Sequence, residues 1–245
     1  MALQADTFAY RDDSVELSGH FAWEDRQTGK RPGILVIHAG PGLDEHTRGR
    51  ARWLAELGYV AFACDMYGPG VAGNREAIMA TMTELRGDVN KLRRRAAAGL
   101  EVLHGHPLVD GRVAAIGYCF GGMTVLALAR GGTELAAAIS VHGSLATQHP
   151  ASPGAVKAKV LVQHGALDTH VPMAHVNAFV DEMKAAGADW QLVIYGAASH
   201  GFAHENMKVP LPGVAYHAAT DARSKIGVAG FLREVFGGTG AAPEV

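Results

Sequence analysis

The chain has 245 residues, 48 % apolar and 19 % charged, which supplies a buried core and excludes a disordered chain. Twenty-two Lys and Arg against 24 Asp and Glu leave a formal charge of −2, without the basic excess that general nucleic-acid binding needs. Cys64 and Cys119 can form one bridge at most, not a disulfide framework. Residues 1–6 lack a basic start and an apolar export segment. The uncharged run 113–129 is interrupted by Gly117, Gly121 and Gly122, short of the roughly 20 apolar residues a membrane helix needs. A soluble cytoplasmic protein, monomeric by default, is expected.

Val15, Leu17, Gly19, Phe21 and Trp23 alternate with Glu16, Ser18 and His20, so period two predicts a half-buried antiparallel strand near a sheet edge. Residues 33–38 form a short apolar run, as in a strand covered on both faces. Ala51, Leu54 and Leu57 then repeat at helical spacing up to Gly58, and residues 59–64 give the next buried strand. Leu85, Val89, Leu92, Ala96, Leu100 and Leu103 predict one long amphipathic helix over 85–103. Its Lys91, Arg93, Arg94 and Arg95 read as a solvated outer face. Further strands are predicted at 113–117, 135–141, 159–164 and 190–195. A helix with Pro172 in its first turn buries Val176, Phe179, Val180 and Met183, and a last one carries Ile226, Ala229, Leu232 and Val235. Strands alternating with helices imply an α/β fold, a mostly parallel sheet with helices on both faces. Residues 1–236 read as one domain, followed by a flexible tail at 237–245.

Gly117-Tyr118-Cys119-Phe120-Gly121-Gly122 lies between an apolar strand and an apolar helical run. A G-x-nucleophile-x-G turn in that place is the nucleophile elbow of the α/β hydrolases, here with cysteine. Small residues let strand and helix approach while the central residue adopts a strained backbone. The helix N-terminus behind the sulfur favours a thiolate. Asp168 follows the strand at 159–164, and His200 follows the strand at 190–195. Nucleophile, acid and histidine at strand ends, in that order, is the α/β-hydrolase order. Cys119 would then attack a carbonyl, His200 would move its proton and activate water, and Asp168 would fix the His200 tautomer. The N–H groups of Phe120 and Gly40 are the candidate oxyanion donors.

These motifs resemble the dienelactone hydrolase family over roughly residues 10–236. The likeness rests on the cysteine elbow, on His164-Gly165-x-x-Asp168-x-x-Val171-Pro172, and on Ser199-His200-Gly201-Phe202. Cys64-Asp65-Met66-Tyr67-Gly68 and residues 215–219 add to it. The resemblance implies hydrolysis of a small-molecule lactone or ester through an acyl-cysteine, with no organic cofactor and no metal. The histidines support that last point, since no His-Glu-x-x-His is present and His170 and His175 are five apart.

Two departures stand out. Many family members carry a glutamate where Ala39 stands, understood to hold the resting cysteine protonated; Glu45 is the nearby substitute, although residues 44–46 look like a helix N-terminal turn. Two arginines grip the substrate carboxylate in dienelactone-cleaving members. His204 takes the place of one, and Arg75 loosely matches the other. Arg75, His204 and Tyr118 are thus the candidate substrate contacts, with residues 65–85 and 204–214 expected to shape the pocket. A neutral ester is as well accommodated as an acid, because histidine lacks the bidentate fork of arginine. Alternatives are a general carboxylesterase or thioesterase using the same residues, and a hydrolase-like binding protein that no longer turns over.

Overall fold

The computed structural model describes residues 3–25, 29–205 and 212–237. Among these residues eight strands form one sheet: β1 (Leu3–Asp12), β2 (Val15–Glu24), β3 (Arg31–Ile37), β4 (Val60–Cys64), β5 (Val109–Tyr118), β6 (Ala137–Val141), β7 (Lys159–Gly165) and β8 (Trp190–Tyr195), in the spatial order 1-2-4-3-5-6-7-8. From β4 to β8 neighbours run parallel; β2 joins β4 antiparallel, and β1 joins β2 antiparallel. The half-buried strand at 15–24 is therefore next to the edge, and β1 is the edge itself. β1 had no sequence signal, because of its residues only Tyr10 and Asp12 are buried.

Among the described residues six helices cover the sheet: α1 (Glu45–Glu56), α2 (Arg75–Gly87), α3 (Val89–His104), α4 (Phe120–Arg130), α5 (Met173–Ala186) and α6 (Ala218–Phe236). Ala51 and Leu54 of α1 and Val228, Phe231, Leu232 and Phe236 of α6 share one core with alternate strand residues such as Ala114, Ile116 and Tyr118. Leu85, Leu92, Val125, Phe179 and Met183, from α2 to α5, pack on the opposite face. The chain thus has helices on both faces of a mostly parallel sheet. No helix among the described residues is long and apolar enough to cross a membrane.

Four expectations are corrected. The helix predicted over 85–103 is two helices, because Asp88 leaves helical geometry at φ −130° and its carboxylate caps the amides of Asn90 and Lys91. The basic face of α3 is not simply solvated. Arg95 is buried against Asp12 at 2.6 Å and the Met66 carbonyl at 2.8 Å, and Arg93 bonds the Ala127 carbonyl. On α6, Ile226 is 71 % exposed, and the buried stripe runs instead through Ser224, Val228, Phe231 and Leu232. Val180 is half-buried. The predicted tail beyond Gly237, and residues 206–211 of the expected pocket segment, lie outside the described residues.

Candidate active site

Where the sheet order reverses, chain segments leaving adjacent strands diverge and open a cleft beyond their carboxyl ends. Here β3 lies between β4 and β5, and Ile37 pairs with Gly117, so the segment after β3 and the elbow after β5 emerge side by side. Cys119 sits at the turn from β5 to α4 with φ 53° and ψ −109°, a region non-glycine residues rarely occupy. The glycines make that turn possible. A Cβ on Gly117 would lie 2.1 Å from the Gly121 carbonyl oxygen, and one on Gly121 would lie 2.2 Å from that of Ile37. Both obstacles are backbone and cannot rotate away. Gly117→Ala is therefore expected to cost about 3 kcal/mol or more in denaturant unfolding, the upper part of the overpacking range. Gly40→Ala, whose Cβ would meet nothing nearer than Met82 Sδ at 3.9 Å, should stay within about 0.5 kcal/mol.

The three residues read from the ends of β5, β7 and β8 meet. His200 Nε2 lies 3.1 Å from Cys119 Sγ, and His200 Nδ1 lies 2.8 Å from Asp168 Oδ2. The other Asp168 oxygen accepts from the backbone amides of His170 at 2.8 Å and Val171 at 2.9 Å. Asp168 and His200 are buried, while Cys119 is partly exposed. Burial pushes the Cys119 thiol up, but the bonded His200 ring and the amides of Gly40 and Phe120 outweigh it and bring the thiol below its ordinary value. Burial pulls His200 down, yet Asp168 and Cys119 raise it to about 10. Burial likewise opposes ionisation of Asp168; the His200 ring and the two amides overcome it and leave its carboxyl below the usual range. Both shifts act in the direction that favours a thiolate beside an imidazolium.

The expected oxyanion donors, Phe120 and Gly40, both turn their amides to the sulfur. Gly40 is held there by a residue the sequence reading passed over. Met66 N–H donates to His38 Nε2 at 3.1 Å, so the proton of this buried ring is on Nδ1, which donates to the Ala39 carbonyl at 2.7 Å. Gly42 N–H reaches the same oxygen at 3.1 Å. With the Ala39 carbonyl pinned and no cis peptide among the described residues, the Gly40 N–H must point the opposite way. Tyr67, also unassigned before, donates from its hydroxyl to the Gly40 carbonyl at 3.0 Å and packs on Phe120.

The candidate substrate contacts are not brought to the sulfur. Tyr118 is buried 3 % exposed against α1, with the Arg50 guanidinium 5.5 Å from its ring centre. Strand alternation explains this, since Tyr118 shares the inward face of Ile116. Arg75 is exposed in the first turn of α2, and among the described residues no hydrogen bond or ion pair ties it to the cluster. His204 is buried and bonded through Nε2 to Asp44 Oδ2 at 3.0 Å. Glu45 is exposed and paired with Arg52, so it does not replace the missing glutamate, and Ala39 is buried. Asp44 caps α1, as the helix-turn reading of residues 44–46 anticipated.

The pattern of the dienelactone hydrolase family matches residues 18–236. A Yersinia pestis protein provisionally named carboxymethylenebutenolidase is 29 % identical over 203 residues, which are 76 % of this chain and 74 % of that protein. A Bradyrhizobium protein provisionally named 2-oxo-3-(5-oxofuran-2-ylidene)propanoate lactonase is 27 % identical over 74 % of this chain and 77 % of its own. Among solved structures, a dienelactone hydrolase-like promiscuous phosphotriesterase from metagenomic libraries is 37 % identical, covers 96 % of this chain and 100 % of its own, and has a TM-score of 0.89.

Proposed function

Because the chain belongs to the dienelactone hydrolase family of ester-bond hydrolases, we propose that it cleaves a small lactone or carboxylic ester through an acyl-cysteine intermediate. The Cys119 thiolate adds to the carbonyl carbon, and the oxygen that gains charge is received by the amides of Gly40 and Phe120. Collapse breaks the C–O bond, and the departing alkoxide takes the proton of the His200 imidazolium. In a lactone that alkoxide stays tethered to the acyl group. His200, now neutral, draws a proton from water, whose oxygen attacks the thioester. Release of the carboxylic acid returns the thiolate and the imidazolium. Asp168 keeps the His200 proton on Nδ1 throughout, leaving Nε2 to serve both steps. The observation that supports this reading most is the chain of contacts from Asp168 through His200 to Cys119, at 2.8 Å and 3.1 Å.

The substrate class we propose is uncharged near the reacting carbonyl, since Arg75 is exposed and His204 is committed to Asp44. A second reading, turnover of neutral phosphotriesters, is favoured by the 37 % identical relative described as a promiscuous phosphotriesterase. Intact mass spectrometry with p-nitrophenyl acetate tests the central claim. Wild type should gain an acetyl group that decays, and Cys119→Ala should gain none. Binding without any adduct would instead mark a non-catalytic relative. An acidic lactone and its neutral methyl ester should have kcat/KM values within about tenfold, the worth of one ordinary hydrogen bond. A large preference for the acid defeats the neutral-substrate reading.

A further inference from the structure

The segment that carries His200 is fastened on two sides. On one, Ala215 N–H donates to the His200 carbonyl and His217 N–H to that of Phe202, each at 3.0 Å. On the other, α1 presents a buried guanidinium. Arg50 is 4 % exposed and donates through Nη2 to the Ala203 carbonyl at 2.6 Å and to Asp221 Oδ1 at 2.7 Å. His46 Nε2 lies 2.8 Å from the same carbonyl and 3.1 Å from Arg50 Nε. Asp44, the α1 cap, bonds His204 at 3.0 Å. Burial, then repulsion from Arg50 and His204, holds His46 down at about 3, so its ring is neutral in this cluster.

These bonds join two parts of the proposed chemistry. Helix α1 begins directly after the segment bearing Gly40, while Ala203 and His204 follow His200 by three and four residues. The oxyanion donor and the base therefore share one frame, and the frame is closed by Arg50. A buried guanidinium loses much hydration and is retained only where several acceptors face it, as here. We propose that Arg50, with His46 and the Asp44–His204 pair, is a positioning cluster that sets the His200 imidazole relative to Cys119 and the Gly40 amide. The reaction it would serve is the acyl-cysteine reading above.

The same residues invite a metal reading, which the ring geometry disfavours. Asp44, His46 and His204 offer ligand atoms within 4.8 Å of one another, and Nδ1 of each histidine lacks a partner among the described residues. The two rings, however, stack at 4.3 Å with 23° between their planes. Nitrogen lone pairs lie in the ring planes, so these run side by side and do not converge on a tetrahedral centre. The guanidinium next to His46 also repels a cation.

Arg50→Lys, Arg50→Met and His204→Asn test the assignment on the full chain, using kcat and KM for a neutral aryl ester, iodoacetamide alkylation of Cys119 against pH, and thermal unfolding. Lysine keeps the charge but cannot span the Ala203 carbonyl, Asp221 and His46 together. Arg50→Lys is expected to lower kcat about tenfold to a hundredfold, the scale of a small misplacement of a reacting group, with KM little changed. Its Cys119 alkylation should move to higher pH as the His200 contact loosens. His204→Asn should change both readouts in the same direction by less. If Arg50→Met does not fold, these two variants carry the test. Folded Arg50→Lys and His204→Asn with wild-type kcat and wild-type alkylation overturn the proposal. So does a rise in the thermal transition on adding Zn²⁺ that His204→Asn removes, which would make the cluster a metal site. Alkylation needs no ester turnover, so it judges the positioning role even if wild type forms no acyl-enzyme.

Discussion

His200→Ala is expected to move Cys119 alkylation to higher pH and to lower ester turnover by about ten-thousand-fold or more, as removal of one member of such a unit does elsewhere. In wild type the thiol ionises below its ordinary value of about 8.5. The imidazolium, raised to about 10 despite burial, persists across neutral pH. The signs then fix the whole profile. Alkylation rises as pH climbs through the depressed thiol value, at lower pH than an unperturbed cysteine would respond. Turnover declines again through about 10, where His200 gives up the proton that the leaving group needs. Without the ring, burial still opposes the thiolate and only the amides of Gly40 and Phe120 favour it, so the inflection must rise. A single transition near 8.5 in both proteins would show that the 3.1 Å contact has no electrostatic consequence. This early ionisation is also what the loss of the family glutamate at Ala39 leads one to expect, because no carboxylate is left there to hold the sulfur protonated.

Cys119, Asp168 and His200 were legible because each stands just past a strand whose apolar run is plain, and parallel strands put such ends on one rim. The elbow glycines added a local steric signature. Tyr118 could have been read correctly from the same strand, since Ala114, Ile116 and Tyr118 share one face and leave no route into the cleft. His204 could not. Its partner Asp44 is 160 residues away, and nothing local marks a histidine that will be buried against a helix cap. The Asp88 break was hidden for a different reason: Leu85 and Val89 stay in helical phase across it, so periodicity ran on while the cap was overlooked. Arg95 in the core is likewise a long-range fact, dependent on Asp12 of an edge strand that its own pattern did not reveal.

Asp168→Asn should lower kcat by about ten-thousand-fold, the loss expected when a base is left in the wrong tautomer, while barely moving thermal unfolding. The reason lies in the two bonds on the far carboxylate oxygen. Oδ1 accepts from the amides of both His170 and Val171, so an asparagine must place its carbonyl oxygen there and keep the turn intact. Its NH₂ group is then forced toward His200 Nδ1, where Oδ2 now stands at 2.8 Å. A donor facing Nδ1 drives the ring proton to Nε2, and Nε2–H faces the Cys119 sulfur with no lone pair to accept its proton. The thiol would lose its charged partner, so alkylation should shift upward as in His200→Ala, though the imidazole remains in place. Asp168→Ala makes the useful contrast: it removes the acceptor for both amides as well and should reduce stability by about 1–3 kcal/mol. Near-normal turnover in a folded Asp168→Asn protein would mean that the His200 tautomer is set by some other group, and the acid in the proposed trio would have to be reassigned.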